Sequence, residues 1–155
     1  MDNFVDAAFA VHHDDKSHGG MVMKFRDGRG CPISGSEKQK LNTDSSTIAE
    51  LVATHQFLPK TLWVPLFLAE QGYEVEGNVL HQDNKSAILL EENGKRSSGK
   101  RTCAVNIRCY VITNQIEKGN LEVVYCPTDD MVGDYMTKGL QGLKFGKFRT
   151  VIVGF

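Results

Sequence analysis

The hydrophobic period of this sequence changes at about residue 46, and that change most restricts what the chain can fold into. Before it, short apolar runs at residues 4–8 and 21–25 have the length of strands, and the second leads into Asp27-Gly28, a step that favours a hairpin turn. A third strand is expected within residues 32–40, polar enough to lie near an edge, where Pro32 at its start is tolerated. Beyond residue 46, Ile48, Leu51, Val52, His55, Leu58, Leu62, Leu66 and Ala69 recur at helical spacing up to Gly72, with Pro59 marking a kink or a break into two helices. A brief strand at residues 79–81 follows. Residues 84–92 then read as a helix capped by Asn93-Gly94. Val105, Cys109, Ile112 and Ile116 set out a further helix, and residues 121–126 alternate as a strand that Pro127 stops. Thr128-Asp129-Asp130 opens a last helix expected to run to about Leu140. Three strands, a helical stretch, strand, helix, helix, strand and helix together predict an α/β fold: a five-stranded mixed sheet flanked by helices. One domain is expected over residues 1–140, followed by a basic and apolar C-terminal tail, 141–155, with only weak helix or strand signals.

The 155 residues carry 18 basic and 19 acidic side chains, so no global field draws in a polyanion, and any such attraction must be local. No apolar run approaches the ~20 residues that span a bilayer, and no secretory leader is evident, so no membrane partner is expected. Cys31, Cys103, Cys109 and Cys126 form no C-x-x-C pair, and the short Cys103–Cys109 spacing has no histidine nearby to complete a zinc site. Reduced, mostly buried thiols are expected.

Four acids fall at element junctions where such a sheet gathers side chains: Asp6, Glu50, Asp83 and Asp134. If they meet, they cannot all stay ionised without a counter-charge, and a hard divalent cation with oxygen ligands is the natural one. The chemistry implied is metal-assisted displacement at phosphorus. Simpler roles stay open for each. Thr47-x-x-Glu50 matches a capping box, Asp83 would serve as an N-cap, and Asp134 with Lys138 forms an ordinary i, i+4 pair. Asp6 has the weakest alternative, because an acid in an apolar strand is costly unless it faces a polar site.

Six ordered segments resemble one family. Asp6-Ala7-Ala8-Phe9-Ala10 is similar to D-A-x-[FW]-A, Ser17-His18-Gly19-Gly20 to S-x-x-G-G, and Lys38-Gln39-Lys40 with Ser45-Ser46-Thr47-Ile48-Ala49-Glu50 to K-Q-K and S-S-T-E-A-E. Gln82-Asp83-Asn84-Lys85-Ser86-Ala87 resembles a D-N-x-S-A segment, residues 100–108 a K-H-I-D-x-R region, and residues 133–140 an A-D-x-x-T-K-P-L ending. These are motifs of the ribonuclease H domain of copia-type long-terminal-repeat retrotransposon Pol polyproteins. The resemblance implies the ribonuclease H fold and hydrolysis of the RNA strand of an RNA–DNA hybrid. It also implies two magnesium ions, with manganese as a possible substitute, held by Asp6, Glu50, Asp83 and Asp134 as the catalytic and metal-binding set. In such a site the ions lie ~3.5–4 Å apart, and Asp6 is expected to bridge them.

The hybrid must also be held. Lys95, Arg96, Lys100, Arg101 and Arg108 occur with no acid between Glu92 and Glu117, a local basic patch suited to phosphate contacts that position a duplex without reading its sequence. A solvated loop is the other reading of that patch. Asn84, Ser45 and Thr43 flank the expected site and are candidates for 2′-hydroxyl contacts. The expected partners are the hybrid and a reverse transcriptase domain of the same polyprotein. The expected location is the cytoplasm, in a retrotransposon particle, or the nucleus. Ile48, Ala104, Gly133 and Gly139 depart from the family pattern without removing an acid, and Gly133, read as helix interior, would cost roughly 1 kcal/mol relative to alanine. The chain opens only five residues before Asp6, as a fragment or a remnant gene would. A catalytically decayed module of the same fold, with a binding or structural role, is therefore the alternative function.

Overall fold

The structure is a computed structural model that describes residues 1–26, 28–94 and 103–155, with the side chains of 103–106 left aside. Asp27 of the expected turn and the whole basic loop 95–102 lie outside the described residues. Five strands form one mixed sheet: β1 (Asp2–Ala8), β2 (Lys16–Lys24), β3 (Ile33–Asn42), β4 (Val79–Gln82) and β5 (Glu122–Tyr125). Their order is β3-β2-β1-β4-β5, with β1 antiparallel to β2 and parallel to β4. The polar third strand is indeed an edge, and the strand carrying Asp6 is central.

Alternation along the central strands sends successive side chains to opposite faces. Val5, Ala7, Met21 and Met23 enter a core with Leu51, Ala53, Phe57 and Leu58 of α1 (Ser46–Glu70) and Cys109 and Ile112 of α3 (Cys103–Glu117). Phe4 and Val22 pack instead with Val132 and Phe148 in a second, smaller cluster. The buried Phe148 belongs to helix α5 (Gly142–Val153), so the weakly patterned tail folds as a helix, and the Ile152 carbonyl accepts from the Cys31 N–H at 2.8 Å. Cys31, Cys109 and Cys126 are free thiols, as expected.

Three local expectations are corrected. Helix α1 continues through Pro59 and Pro65 as one helix, so of the kink or break expected at Pro59 the break does not occur. Proline at 65 frees the Thr61 carbonyl, and Asn78 Nδ2 donates to it at 3.1 Å, while buried Phe57, Leu58, Thr61 and Val64 hold both sides of the prolines to the core. The helix expected from 128 to 140 is a 3-10 turn, Thr128–Asp130, followed by a single-turn α4, Asp134–Thr137. Between them the buried Met131 and Val132 turn into the core instead of continuing a helix. Gly133 therefore precedes α4 rather than lying inside a helix, and the propensity cost expected there does not arise.

The glycine pair of β2 is explained by what presses on it from each side. A Cβ on Gly19 would lie 3.3 Å from the Phe57 ring of α1, while one on Gly20 would meet Thr137 Cγ2 at 2.6 Å and Met136 Cβ at 2.7 Å. Helix α4 thus rests directly on β2 backbone. Gly20→Ala is expected to destabilise the fold by about 1–3 kcal/mol through overpacking; an unchanged denaturation midpoint would show that α4 does not sit there.

Helix α2 (Lys85–Asn93) carries Glu91, completely buried, and neither of its carboxylate oxygens has a hydrogen-bond partner among the described residues. Burial pushes its pKa from 4.5 to about 8, with Glu92 adding to the rise and the nearby Thr54 hydroxyl opposing it. Because the folded-state pKa is raised, the protonated form's contribution is full below about pH 4.5 and is lost as pH climbs toward 8. Glu91→Gln should remove that dependence and be more stable than wild type at pH 8. Parallel stability–pH curves for the two proteins would refute it.

Candidate active site

Each acid is delivered by a different element. Asp6 lies on β1, Glu50 near the start of α1, Asp83 just past β4 and Asp134 at the start of α4. Asp6, Glu50 and Asp134 are buried, at 1%, 5% and 1% exposure, and Asp83 is half-buried. The structure brings Asp6, Glu50 and Asp83 together: one carboxylate oxygen from each lies within 4.8 Å of the other two.

Local capping explains why two of these acids are free for this purpose. Ser45 caps α1, its Oγ accepting from the Ile48 N–H at 3.3 Å, so the reciprocal capping-box position is 48 and not 50. Ile48 thus stands where a capping glutamate would act, and Glu50 turns into the cluster. Asn84 caps α2 by accepting from the Ser86 and Ala87 N–H groups at 3.0 and 3.2 Å, which leaves Asp83 uninvolved in capping. These bonds engage Asn84 Oδ1, while Nδ2 reaches Thr47 Oγ1 at 3.5 Å. Of the other polar candidates, Thr43 Oγ1 pairs with Ser17 Oγ at 3.0 Å.

Asp134 sits apart from the three-acid cluster but adjoins it through lysine. Lys138 donates to Asp134 Oδ1 and, at 3.4 Å, to Asp6 Oδ1; Lys144 donates to Asp134 Oδ2 at 2.6 Å. Thr137 donates to Asp6 Oδ2, and Thr128 to Asp83 Oδ2 at 2.9 Å. The expected solvated Asp134–Lys138 pair is therefore a buried carboxylate with two cations. Thr137 and Lys138 were present in the quoted motif as letters only, Thr128 stood out only as part of a helix opening, and Lys144 only as one of the basic residues of the tail.

Burial raises the Asp6 pKa, with Asp134 and Asp83 adding to it and the Thr137 hydrogen bond and Lys138 opposing. Glu50 is raised further, by burial first and then by the charges of Asp6 and Asp83. Burial pulls the Lys138 pKa down, but Asp134 and Asp6 outweigh it and leave that ammonium raised. Glu50 Oε2 is buried without a hydrogen-bond partner among the described residues. An orphaned carboxylate oxygen beside two further carboxylates fits a hard divalent cation, whose charge would offset both the desolvation and the repulsion.

Arg108 of the expected basic patch is a half-buried residue of α3. The His55 pKa is lowered by burial and then by the charge of Arg108. Lys95, Arg96, Lys100 and Arg101 lie outside the described residues.

With the site in place, comparison with solved structures defines the class: this is the ribonuclease H fold. The N-terminal ribonuclease H domain of a Mycobacterium tuberculosis protein aligns with a TM-score of 0.60 at 10% identity, over 88% of each chain. A ribonuclease H1 isolated from compost by a metagenomic approach aligns at 0.59 and 13% identity, over 87% of this chain and 90% of that one. Sequence relatives narrow the placing. The chain has the ribonuclease H fold and is homologous to part of the retrovirus-related Pol polyproteins of plant transposons. It is 33% identical to that of transposon RE2 of Arabidopsis thaliana over 76% of this chain. With transposon TNT 1-94 of Nicotiana tabacum it shares 29% over 94% of this chain. It spans only 8% and 11% of the length of those two relatives. No family model matches.

Ile48 offers a test of the capping geometry. Ile48→Glu is expected to stabilise the fold by roughly 0.5 kcal/mol, through a side-chain bond back to the Ser45 N–H. Loss of stability on thermal or chemical denaturation would count against it.

Proposed function

We propose that this chain is a metal-dependent endoribonuclease that hydrolyses the RNA strand of RNA–DNA hybrids, as the ribonuclease H part of a copia-type retrotransposon reverse transcriptase. The observation that carries this reading is the cluster of Asp6 on the central strand, Glu50 on α1 and Asp83 just past β4, with Glu50 Oε2 buried and lacking a partner among the described residues. Magnesium is the proposed ion, in a two-metal arrangement, with manganese able to substitute. Bound there, divalent cations supply a more acidic water and stabilise charge on the leaving oxygen.

The chain's own residues do the rest. Asp6, Glu50 and Asp83 would hold an ion, and Asp134, beside Asp6, would complete the set. Thr137 and Thr128 orient the Asp6 and Asp83 carboxylates by donating to one oxygen of each, which leaves the other oxygen directed elsewhere. Lys138 and Lys144 offset the charge of Asp134. The hybrid would be held by phosphate contacts from Lys95, Arg96, Lys100, Arg101 and Arg108, with the Asn84 amide near a ribose hydroxyl. Support for the substrate comes from a relative in fold: the compost ribonuclease H1 has also been solved with an RNA/DNA hybrid, and this chain aligns with that structure at a TM-score of 0.56. Part of the prototype foamy virus protease-reverse transcriptase is similar too, at 0.51 and 11% identity over 19% of its length, which supports a reverse transcriptase partner. Action in a cytoplasmic particle or the nucleus follows from that reading.

The test is cleavage of an end-labelled hybrid in magnesium or manganese, with chelator, RNA duplex and single-stranded RNA as controls. Wild type should cut only the RNA strand of the hybrid and stop in chelator. Asp83→Asn should lose at least about 100-fold in rate while folding at least as stably, because one charge leaves a repelling cluster. Equal cleavage by the two proteins would refute the ligand assignment, and a folded wild type inactive in both metals would favour the decayed module.

A further inference from the structure

Helix α5 reaches the acid cluster from outside the motifs that define it. The helix is anchored independently, by the fully buried Phe148 and by the Ile152 carbonyl bonded to Cys31 N–H. That anchoring fixes Lys144 in its first turn. Its Nζ donates to Asp134 Oδ2 at 2.6 Å and to the Thr128 carbonyl at 3.0 Å. The same Thr128 donates its hydroxyl to Asp83 Oδ2 at 2.9 Å. One ammonium group therefore connects the supports of two of the four acids. Lys138, the residue that caps the end of α4, takes the other Asp134 oxygen, so the plane of a carboxylate only 1% exposed is set from both edges.

Resting on the proposed nuclease reading, we infer that Lys144 is a positioning residue for cleavage, and that helix α5 is part of the catalytic apparatus. An exposed ion pair would contribute little, since water screens it and both side chains lose freedom. Here the carboxylate is buried, and removal of the ammonium leaves it free to rotate toward Asp6 with one cation fewer beside it. The charge matters as well as the geometry. Lys144 contributes a positive charge next to acids that would otherwise bind a divalent cation more tightly, so it loosens ion binding while it orders Asp134.

The inference separates Lys144 from two simpler roles. A phosphate-contacting lysine would act on hybrid binding, and a merely structural one on stability. The full chain is compared as wild type, Lys144→Met and Lys144→Arg, by steady-state cleavage of the hybrid, calorimetric Mn²⁺ titration and thermal unfolding. Lys144→Met should lower kcat about 10- to 100-fold, the usual loss when a group supporting a metal ligand is removed, with KM within about twofold. Mn²⁺ binding should tighten about three- to tenfold as a positive charge departs. Lys144→Arg should recover most of the turnover. An unchanged kcat, a rise in KM alone, or a loss of turnover that follows loss of folded protein would overturn the inference. If wild type itself cleaves nothing, the nuclease reading fails separately. The Mn²⁺ titration then decides: tightening in Lys144→Met upholds the coupling of Lys144 to the cluster, and an unchanged affinity overturns it.

Discussion

Placing carboxylates out of water beside one another is the constraint from which the rest of this structure follows. Burial alone raises the pKa values of Asp6 and Glu50, and each is raised again by its acidic neighbours. A chain that buries such groups between its central strand and α1 must supply compensation nearby. It does so unevenly. Asp6 and Asp83 each accept a threonine hydroxyl, Asp134 has two lysines, and Glu50 Oε2 has no hydrogen-bond partner among the described residues. The oxygen left over, on Glu50, is the one that the proposed cation would take.

Compensation of this kind needs backbones to approach closely, and the small residues are where it is arranged. Thr137 reaches Asp6 because α4 lies on β2 at Gly20, where any side chain would strike Thr137 and Met136. Gly133 completes the approach from the other end. A Cβ there would lie 3.1 Å from Asp6 Cβ and 3.2 Å from its backbone nitrogen. The departure from alanine at this position therefore sits where the residue that opens α4 presses on β1.

The sequence alone announces some of this better than the rest. Short apolar runs place β1 and the second half of β2, and helical spacing places α1, because those segments are the ones buried against the core. Asp6 can be singled out because it breaks a local rule, an acid in an apolar strand, whereas Glu50 and Asp83 fit ordinary capping roles and stand out through their place at element junctions and the family resemblance. Lys144 breaks no rule. A lysine in a basic tail looks solvated until the fold carries Asp134 beneath it, and the contact spans ten residues across a change of element. Residues 128–140 misled for a related reason. An acidic opening and good helix formers favour a helix locally, but burial of Met131 and Val132 against the sheet outweighs that preference. At Pro59 and Pro65 the balance goes the other way, since packing keeps helical a segment that local rules would break.

The separation along the chain of the groups that meet at the site has a consequence for how it forms. Asp6 is held by Thr137 and Lys138, 131 and 132 residues later, and Asp134 by Lys144 on the last helix. Glu50 enters from a helix whose own support includes the Thr61–Asn78 bond to the loop before β4. Local structure can assemble β1 to β3 and α1 early, because their contacts are mostly between neighbours in sequence. Asp6, which these elements place, takes its hydrogen bonds from Thr137 and Lys138 near the far end of the chain. Packing of α5 against the sheet also places Lys144 beside Asp134. Phe148 is central to it, because burying that ring also brings Lys144 to Asp134.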